Sequence, residues 1–449
     1  MESLFGTDGI RGVANQYPIT PEIALHVGRA VAAVLKTNSR SRIVIGKDGR
    51  ISGDMLEAAL AAGICSAGAD VYLAGIISTP AVAFLATAVS ADAGIVVSAS
   101  HNPYEDNGIK IFDSQGFKLN TDTEQVIENR VLNPDSDFSP ATGDQIGIIH
   151  SMPDACDRYT QFLKQSMKEA DNLKDLHLVI DCSNGATSMI APRVFSELGA
   201  GVTVLSDQPN GVNINADCGS QHIEPLRKAV KDAGADVGLA FDGDGDRLIA
   251  VDETGSPVTG DHILAICARH MKQAGVLKNN LVVSTVMSNV GLINALKQMG
   301  IRHMVTDVGD RYVLDRMRTS GAVLGGEDSG HMIFLDHHSS GDGIMTAIRL
   351  LEAMHCAGQP LSALRGIMDV FPQVLKNVRI RQKTDIYQFP EIAQVIERVE
   401  SHLADRGRVL VRYSGTQPLC RVMVEGPDPD ETDRLCQDIV DVVSENLGE

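Results

Sequence analysis

The sequence predicts an α/β fold: three similar α/β units with mixed, mostly parallel sheets, followed by a smaller C-terminal α+β domain. Three observations carry this. Short apolar runs alternate with longer amphipathic stretches, the pattern of strands joined by helical crossovers. That strand–helix–strand–helix–strand order runs three times along the chain. In each pass the third strand leads into a loop of unusual chemistry: SASHNP at 98–103, DGDGDR at 242–247 and GGEDSGH at 325–331. Three related units place such loops at equivalent ends, where they would face one cleft.

Taken in order, the chain opens on FGTDGIRG (5–12), a glycine-rich loop carrying Arg11. Thr20 caps a helix with Pro21 in its first turn, running to about residue 35. The first pass reads as strand 42–46, helix 54–68, strand 70–74, helix 80–88 and strand 94–98. The second reads as strand 177–181, helix 188–198, strand 201–205, helix 225–233 and strand 237–241. The third reads as strand 280–284, helix 291–299, strand 302–305, helix 312–318 and strand 322–324. The pattern then breaks into an alternating segment at 374–380, a helix over 390–403, strands 408–411 and 420–425, and a closing helix over 430–446. Linkers read at 133–140 and 369–373 set the expected domains at 1–150, 151–253, 254–368 and 369–449.

Composition narrows the function. The 449 residues exceed what one core can hold. No apolar run reaches the length of a membrane span, and the amino terminus does not read as a signal peptide, so a cytoplasmic location is expected. Eight cysteines without a C-x-x-C pair suit reduced, buried thiols. A formal charge of −19 argues against nucleic acid and anionic membranes as partners. An anionic substrate must then be held by local clusters of Arg, Lys and backbone N–H groups.

The loops supply the chemistry. Ser100 follows a buried strand, where α/β proteins place ligands, and Pro103 stiffens the loop behind it. A serine in that place is a candidate nucleophile or phosphoryl carrier; a turn serine bonded to its own backbone is the plainer reading of this loop alone. Asp242, Asp244 and Asp246, spaced by glycines, can converge on one hard cation with open positions, which suits Mg²⁺. An EF-hand is excluded by Arg247 at the place of its glycine and by the preceding strand, although Glu253 falls at its twelfth position. An acidic surface turn is the alternative. Glu327, Ser329 and His331 offer acceptors for sugar hydroxyls and an imidazole, or else a capped turn. Arg412, Ser414, Gly415, Thr416 and Arg421 bridge two strands as an anion nest, or else a hairpin turn. No nucleotide P-loop occurs. A hydroxyl carrier, a divalent cation, a polyol loop and a phosphate clamp together suggest phosphoryl movement within or between sugar phosphates.

These four loops in this order resemble the α-D-phosphohexomutase superfamily over essentially the whole chain. FGTDGIRG, SASHNP with DNGIK (106–110), PNGVNIN (209–215), FDGDGDR (241–247), VGDRYV (308–313) and the SGT-P-R clamp carry the resemblance, which is nearest to members acting on glucosamine phosphates. It implies four domains around a central cleft and an intramolecular phosphotransferase. Glucosamine 6-phosphate and glucosamine 1-phosphate would interconvert through a phosphoserine enzyme and a sugar 1,6-bisphosphate, supplying UDP-N-acetylglucosamine synthesis. The implied partners are small sugar phosphates and the implied assembly a monomer or homodimer. Ser100 would be the phosphoserine, and Asp242, Asp244 and Asp246 would hold one Mg²⁺ with a phosphoserine oxygen. Arg11, His101 and Lys110 would line the transfer site, with Lys110 and His331 as proton-transfer candidates and Arg247 supporting the metal loop. Glu327, Ser329 and His331 would bind sugar hydroxyls, while Arg412, Ser414, Gly415, Thr416 and Arg421 would grip the phosphate that is not reacting.

Three positions depart from the family pattern: Asp328 where Gln or Asn is usual, Gln417 for Glu, and Tyr413 for Lys. Asp328 adds charge beside the sugar loop, favouring an ammonium group or altering hexose preference. A mutase for glucose or mannose phosphates is therefore the near alternative. A phosphatase is opposed by the absence of a hydrolytic Asp-x-Asp nucleophile motif. A non-catalytic sugar-phosphate binder is opposed by intact Ser100, Lys110 and all three aspartates.

Overall fold

A computed structural model describes residues 3–6, 8–36, 40–134, 138–167, 173–413 and 418–449. The chain packs as two compact bodies, Met1–Val286 with Arg302–Arg365, and Met287–Ile301 with Gly366–Glu449.

The first body opens with β1 (Ile10–Val13), α1 (Pro21–Val34), β2 (Arg42–Lys47), α2 (Gly53–Ser66), β3 (Asp70–Ile76), α3 (Thr79–Ala88), β4 (Ala93–Val97), β5 (Asp106–Asp113), α4 (Thr121–Leu132) and β6 (Ile149–Ser151). Helix α1 starts where Thr20 accepts the Ile23 N–H, the predicted cap. The second stretch holds α5 (Ala155–Ser166), β7 (His177–Asp181), α6 (Ala191–Glu197), β8 (Gly201–Leu205), α7 (Glu224–Ala233), β9 (Val237–Phe241), β10 (Leu248–Asp252) and β11 (Pro257–Val258). The third holds α8 (Gly260–Gln273), β12 (Leu281–Thr285), α9 (Val290–Gln298), β13 (Arg302–Thr306), α10 (Asp310–Ser320), β14 (Leu324–Gly326), β15 (Met332–Phe334), α11 (Gly343–Ala357) and α12 (Leu361–Arg365). Of these, α9 packs with the second body.

The three sheets share one plan. Their orders are β1-β5-β4-β2-β3-β6, β11-β10-β9-β7-β8 and β13-β12-β14-β15. In each, the first strand of the pass lies between the second and third, all parallel. The third then pairs antiparallel with the strand that follows it: β4 with β5, β9 with β10, β14 with β15. Each chemically unusual loop is thus the connection of a hairpin on the end of a parallel sheet. The hairpin anchors both ends of the loop in hydrogen-bonded strands.

The second body carries β16 (Gln373–Arg379), α13 (Pro390–Leu403), β17 (Arg408–Tyr413), β18 (Leu419–Glu425) and α14 (Pro429–Leu447). Its sheet is antiparallel, β16-β18-β17. Alternation assigns the faces: Cys420, Val422 and Val424 enter a core with Ile392, Val399, Leu435 and Ile439. Arg412, Arg421 and Met423 belong to the opposite face by the same two-residue period.

Several expectations need correction. The last strand of the third pass is Leu324–Gly326 rather than 322–324, because Gly325 and Gly326 pair with Ile333 and Met332. The loop proper is therefore 327–331. Helix 188–198 contracts to Ala191–Glu197, after a turn in which Ser183 and Asn184 hold positive φ. Segment 369–373 is hydrogen-bonded: Asn289 accepts the Phe371 N–H at 3.0 Å and donates to its carbonyl at 2.9 Å. All eight cysteines are unpaired, but Cys356 is exposed and Cys65 and Cys156 are half-buried. Helices α8 and α11, not assigned from the sequence, are buried over most of their length. Among the described residues no helix is long and apolar enough to cross a membrane.

Candidate active site

The three hairpin loops of the first body meet around Ser100. Strand β4 is wholly buried and delivers Ser100 just beyond its end, with the residue itself only 1% exposed. Its Oγ donates to Asp242 Oδ2 at 2.6 Å and lies 3.2 Å from His101 Nδ1. Strand β5 returns Lys110 opposite Val96, and β1 sets Arg11 opposite Gly108. Arg11 Nη1 donates to the Ala99 carbonyl at 3.3 Å. Lys110 Nζ meets Asp244 Oδ2 at 2.8 Å, Asp8 Oδ2 at 3.0 Å and Asp246 Oδ2 at 3.6 Å. His331 lies between two carboxylates, with Nδ1 3.5 Å from Asp246 and Nε2 3.7 Å from Asp310.

The aspartate loop has the geometry of a cation site. One ligand oxygen from each of Asp242, Asp244 and Asp246 lies within 4.8 Å of the others, and all three residues are buried. Asp244 Oδ1 and Asp246 Oδ1 are buried with no hydrogen-bond partner, a costly arrangement unless something cationic completes it. An all-oxygen carboxylate set beside a hydroxyl fits a hard divalent ion such as Mg²⁺. Glycine makes the close approach possible, since a Cβ at Gly243 would sit 2.6 Å from the Ser100 carbonyl oxygen.

Charge packing shifts the titrating groups in opposite directions. Burial, with repulsion from Asp246 and Asp244, pushes Asp242 well above the usual carboxylate range. Burial would raise Asp246 as well, but Lys110 and His331 outweigh it and hold Asp246 well below that range. Burial alone would lower Lys110; Asp244, Asp8 and Asp246 reverse this and hold its ammonium. His331 is raised on balance, its burial overcome by Asp246 and Asp310. His101 goes the other way, lowered to about 4 by burial and by Arg247 and Arg11. A neutral imidazole therefore stands beside the Ser100 hydroxyl at neutral pH.

Ser100, His101, Lys110, Arg11, Asp242, Asp244, Asp246, Arg247 and His331 thus fall into one network. Arg247 donates its backbone N–H to Asp242 Oδ1 at 3.1 Å, and its buried Nε faces Asp246 Oδ1 at 3.9 Å without a hydrogen bond. Glu327 shares the His331 loop and accepts the Gly309 N–H at 3.0 Å, while Ser329 Oγ is buried and unpartnered. Asp328, in the same loop, accepts the Asp261 N–H on Oδ1 at 3.3 Å, in the first turn of α8. Arg412 and Arg421 are direct cross-strand partners on β17 and β18, and like charges so placed repel. Ser414, Gly415, Thr416 and Gln417 lie outside the described residues.

Four site residues escaped the sequence reading. Asp8 bonds Arg11, Lys110 and Lys118; Lys118 also bonds Asp310; and Thr79 Oγ1 donates to Asp244 at 2.5 Å. Asp8 and Asp310 lie inside FGTDGIRG and VGDRYV, so a signal for them existed. Lys118 and Thr79 had none, because their partners are distant in sequence.

Comparison with known proteins agrees with this architecture. Family models for phosphoglucomutase/phosphomannomutase match alpha/beta/alpha domain I at residues 2–137, domain II at 157–255, domain III at 259–371 and the C-terminal domain at 375–442. A protein of Syntrophobacter fumaroxidans named phosphoglucosamine mutase is 56% identical, with all of both chains covered. One of the same name from Syntrophus aciditrophicus is 55% identical over all of both chains. A crystal structure of a phosphoglucomutase/phosphomannomutase family protein from Burkholderia thailandensis superposes with a TM-score of 0.81 at 25% identity, covering all of both chains. The chain belongs to the phosphoglucomutase/phosphomannomutase family.

Proposed function

We propose that this chain is an intramolecular phosphotransferase interconverting glucosamine 6-phosphate and glucosamine 1-phosphate through a phosphorylated Ser100, so supplying UDP-N-acetylglucosamine synthesis. The observation that carries the reaction is one buried serine hydroxyl 2.6 Å from a buried aspartate triad with two carboxylate oxygens that accept no hydrogen bond. The whole-length relatives named above support the sugar.

The phosphoryl group leaves Ser100 Oγ for the free hydroxyl of the bound sugar phosphate, giving a 1,6-bisphosphate and a serine hydroxyl. The bisphosphate then returns its other phosphoryl group to Ser100. In each half-reaction the attacking hydroxyl gives up a proton and the departing oxygen takes one up; Lys110, held as an ammonium, is the candidate donor to the departing oxygen, and His331 is the second proton-transfer candidate. Arg11, Lys110 and Arg247 offset charge on the moving group. Asp242, Asp244 and Asp246, with a phosphoserine oxygen, would hold Mg²⁺, which supplies further charge neutralisation. Glu327, Ser329 and His331 orient the sugar hydroxyls. Arg412 and Arg421, with Ser414, Gly415 and Thr416, grip the other phosphate, and domains at 1–150, 151–253, 254–368 and 369–449 divide these tasks.

Intact mass before and after exposure to glucosamine 1,6-bisphosphate should show one added phosphoryl group, mapping to Ser100 and absent from Ser100→Ala. A coupled assay with glucosamine, glucose and mannose phosphates tests the sugar. Efficient turnover of the neutral sugars alone would reject the amino-sugar assignment while leaving the serine chemistry standing.

A further inference from the structure

Ser100 holds a left-handed backbone, φ +54°, which a serine side chain does not favour. Its surroundings impose it. The guanidinium of Arg50 is fully buried, with its side chain 0% exposed. Nε donates to Asp48 Oδ2 at 2.8 Å. Nη2 donates to the carbonyls of Ser100 at 2.9 Å and Asn102 at 2.8 Å. Nη1 donates to the carbonyl of Asp106 at 2.9 Å and to that of Pro103. An arginine has five N–H donors, and this one aims all five at acceptors. Four of those acceptors are backbone carbonyls within the seven residues that begin at Ser100.

The other side of Ser100 is held from the same source. Its N–H donates to Ser98 Oγ at 2.9 Å, and that hydroxyl donates to Asp48 Oδ2 at 2.5 Å. Asp48 therefore grips the residue through its N–H side while orienting the arginine that grips its carbonyl. Asn215, in the next α/β unit, adds bonds to the Ser100 and Asn102 carbonyls at 2.9 and 3.0 Å. None of these groups touches Ser100 Oγ, which is left to meet Asp242.

We propose that Arg50, oriented by Asp48, is a positioning residue for phosphoryl transfer, fixing the strained Ser100 backbone so that Oγ stands at the aspartate triad in both half-reactions. This rests on reading Ser100 as the phosphoryl carrier. A positioning role through the backbone makes a specific demand. Formation and discharge of the phosphoserine should slow by the same factor, while sugar-phosphate binding is untouched, because no Arg50 donor faces the sugar.

The test uses Arg50→Lys, which keeps the charge beside Asp48 but has three donors on a flexible stem, and Arg50→Ala, which leaves room for added guanidinium. Phosphoryl loading measured by intact mass counts the competent chains, and kcat is expressed per competent chain. The expected result is a kcat about a hundredfold lower for Arg50→Lys, as for misplacement by an ångström. KM should stay within about threefold of the parent, and guanidinium should partly restore Arg50→Ala. Should either variant fail to fold, Asn215→Ala and Ser98→Ala carry the test, each expected to lower kcat several-fold at constant KM. An unchanged kcat per competent chain, or a rise in KM alone, overturns the proposal. Ser100→Ala runs in parallel: if it remains active, the carrier reading fails. If it is dead while Arg50→Lys turns over normally, only the role of Arg50 fails.

Discussion

Gly341→Ala should disable the site by moving His331 alone. Gly341 is buried between β15 and α11, and a Cβ there would stand 2.1 Å from His331 Nε2 and 2.4 Å from Cε1. Carbon against a ring atom is comfortable at about 3.5 Å, so the ring must retreat by roughly 1.4 Å. The backbone of Gly341 is not in the left-handed region, so alanine is free to adopt it and the clash is the main perturbation. The ring is hemmed in by Asp246 at 3.5 Å and Asp310 at 3.7 Å, and retreat alters both contacts. Misplacement on this scale costs about a hundredfold in rate, or about 2.7 kcal/mol. Overpacking adds about 1–3 kcal/mol of lost stability. The assay is kcat/KM for Gly341→Ala, His331→Ala and the double variant. If the methyl acts through His331, the double variant should match His331→Ala. Gly341→Ala activity within about threefold of the parent would refute the argument. So would a further tenfold loss on the His331→Ala background.

Other outcomes follow from the same geometry. Mg²⁺ at a hundred times its Kd should stabilise the parent by about 2.7 kcal/mol, and Asp246→Asn should lose most of that increment in thermal melts; an equal gain in the variant would remove the triad from metal binding. Arg412→Ala should raise the KM for sugar phosphate several-fold; unchanged KM would exclude the clamp. His338 is buried, donates from Nε2 to the Pro80 carbonyl at 3.0 Å and accepts the Ser340 N–H on Nδ1, and burial lowers it to about 4. Its neutral form is the folded form, so its contribution is complete above about pH 6.5 and is lost as pH falls toward 4, worth about 3 kcal/mol at most. Denaturant unfolding of His338→Gln should show a shallower acid slope over that window than the parent, and equal slopes would contradict this assignment.

Much of the fold was legible because strand and helix signals are local. The strand at 237–241 and the helix at 390–403 match their predicted bounds, each having a clear apolar pattern between strong punctuation. The returning strands β5, β10 and β15 were not assigned. Two of them are five residues or fewer, and β5 places Lys110 in its buried middle. Nothing local marks a lysine as a core residue; its three carboxylate partners come from positions 8, 244 and 246.

The linear order of residues was enough to single out Ser100, the aspartate triplet and His331, which the folded chain brings together, because each occupies a short loop whose residue types are unusual together. It could not show that these loops close hairpins on three sheets of one plan. Nor could it show that Asp328 turns onto α8, or that Lys118 joins Asp8 to Asp310. The Asp328 bond spans 67 positions and those of Lys118 span 110 and 192, and only the folded chain decides which charges become neighbours. Arg50 is the sharpest case: fifty residues from Ser100 and ordinary in its own segment, it becomes the common partner of four carbonyls once β2 and β4 lie side by side. Local chemistry is written in the sequence, whereas the backbone conformation that aims it is set by contacts that exist only after folding.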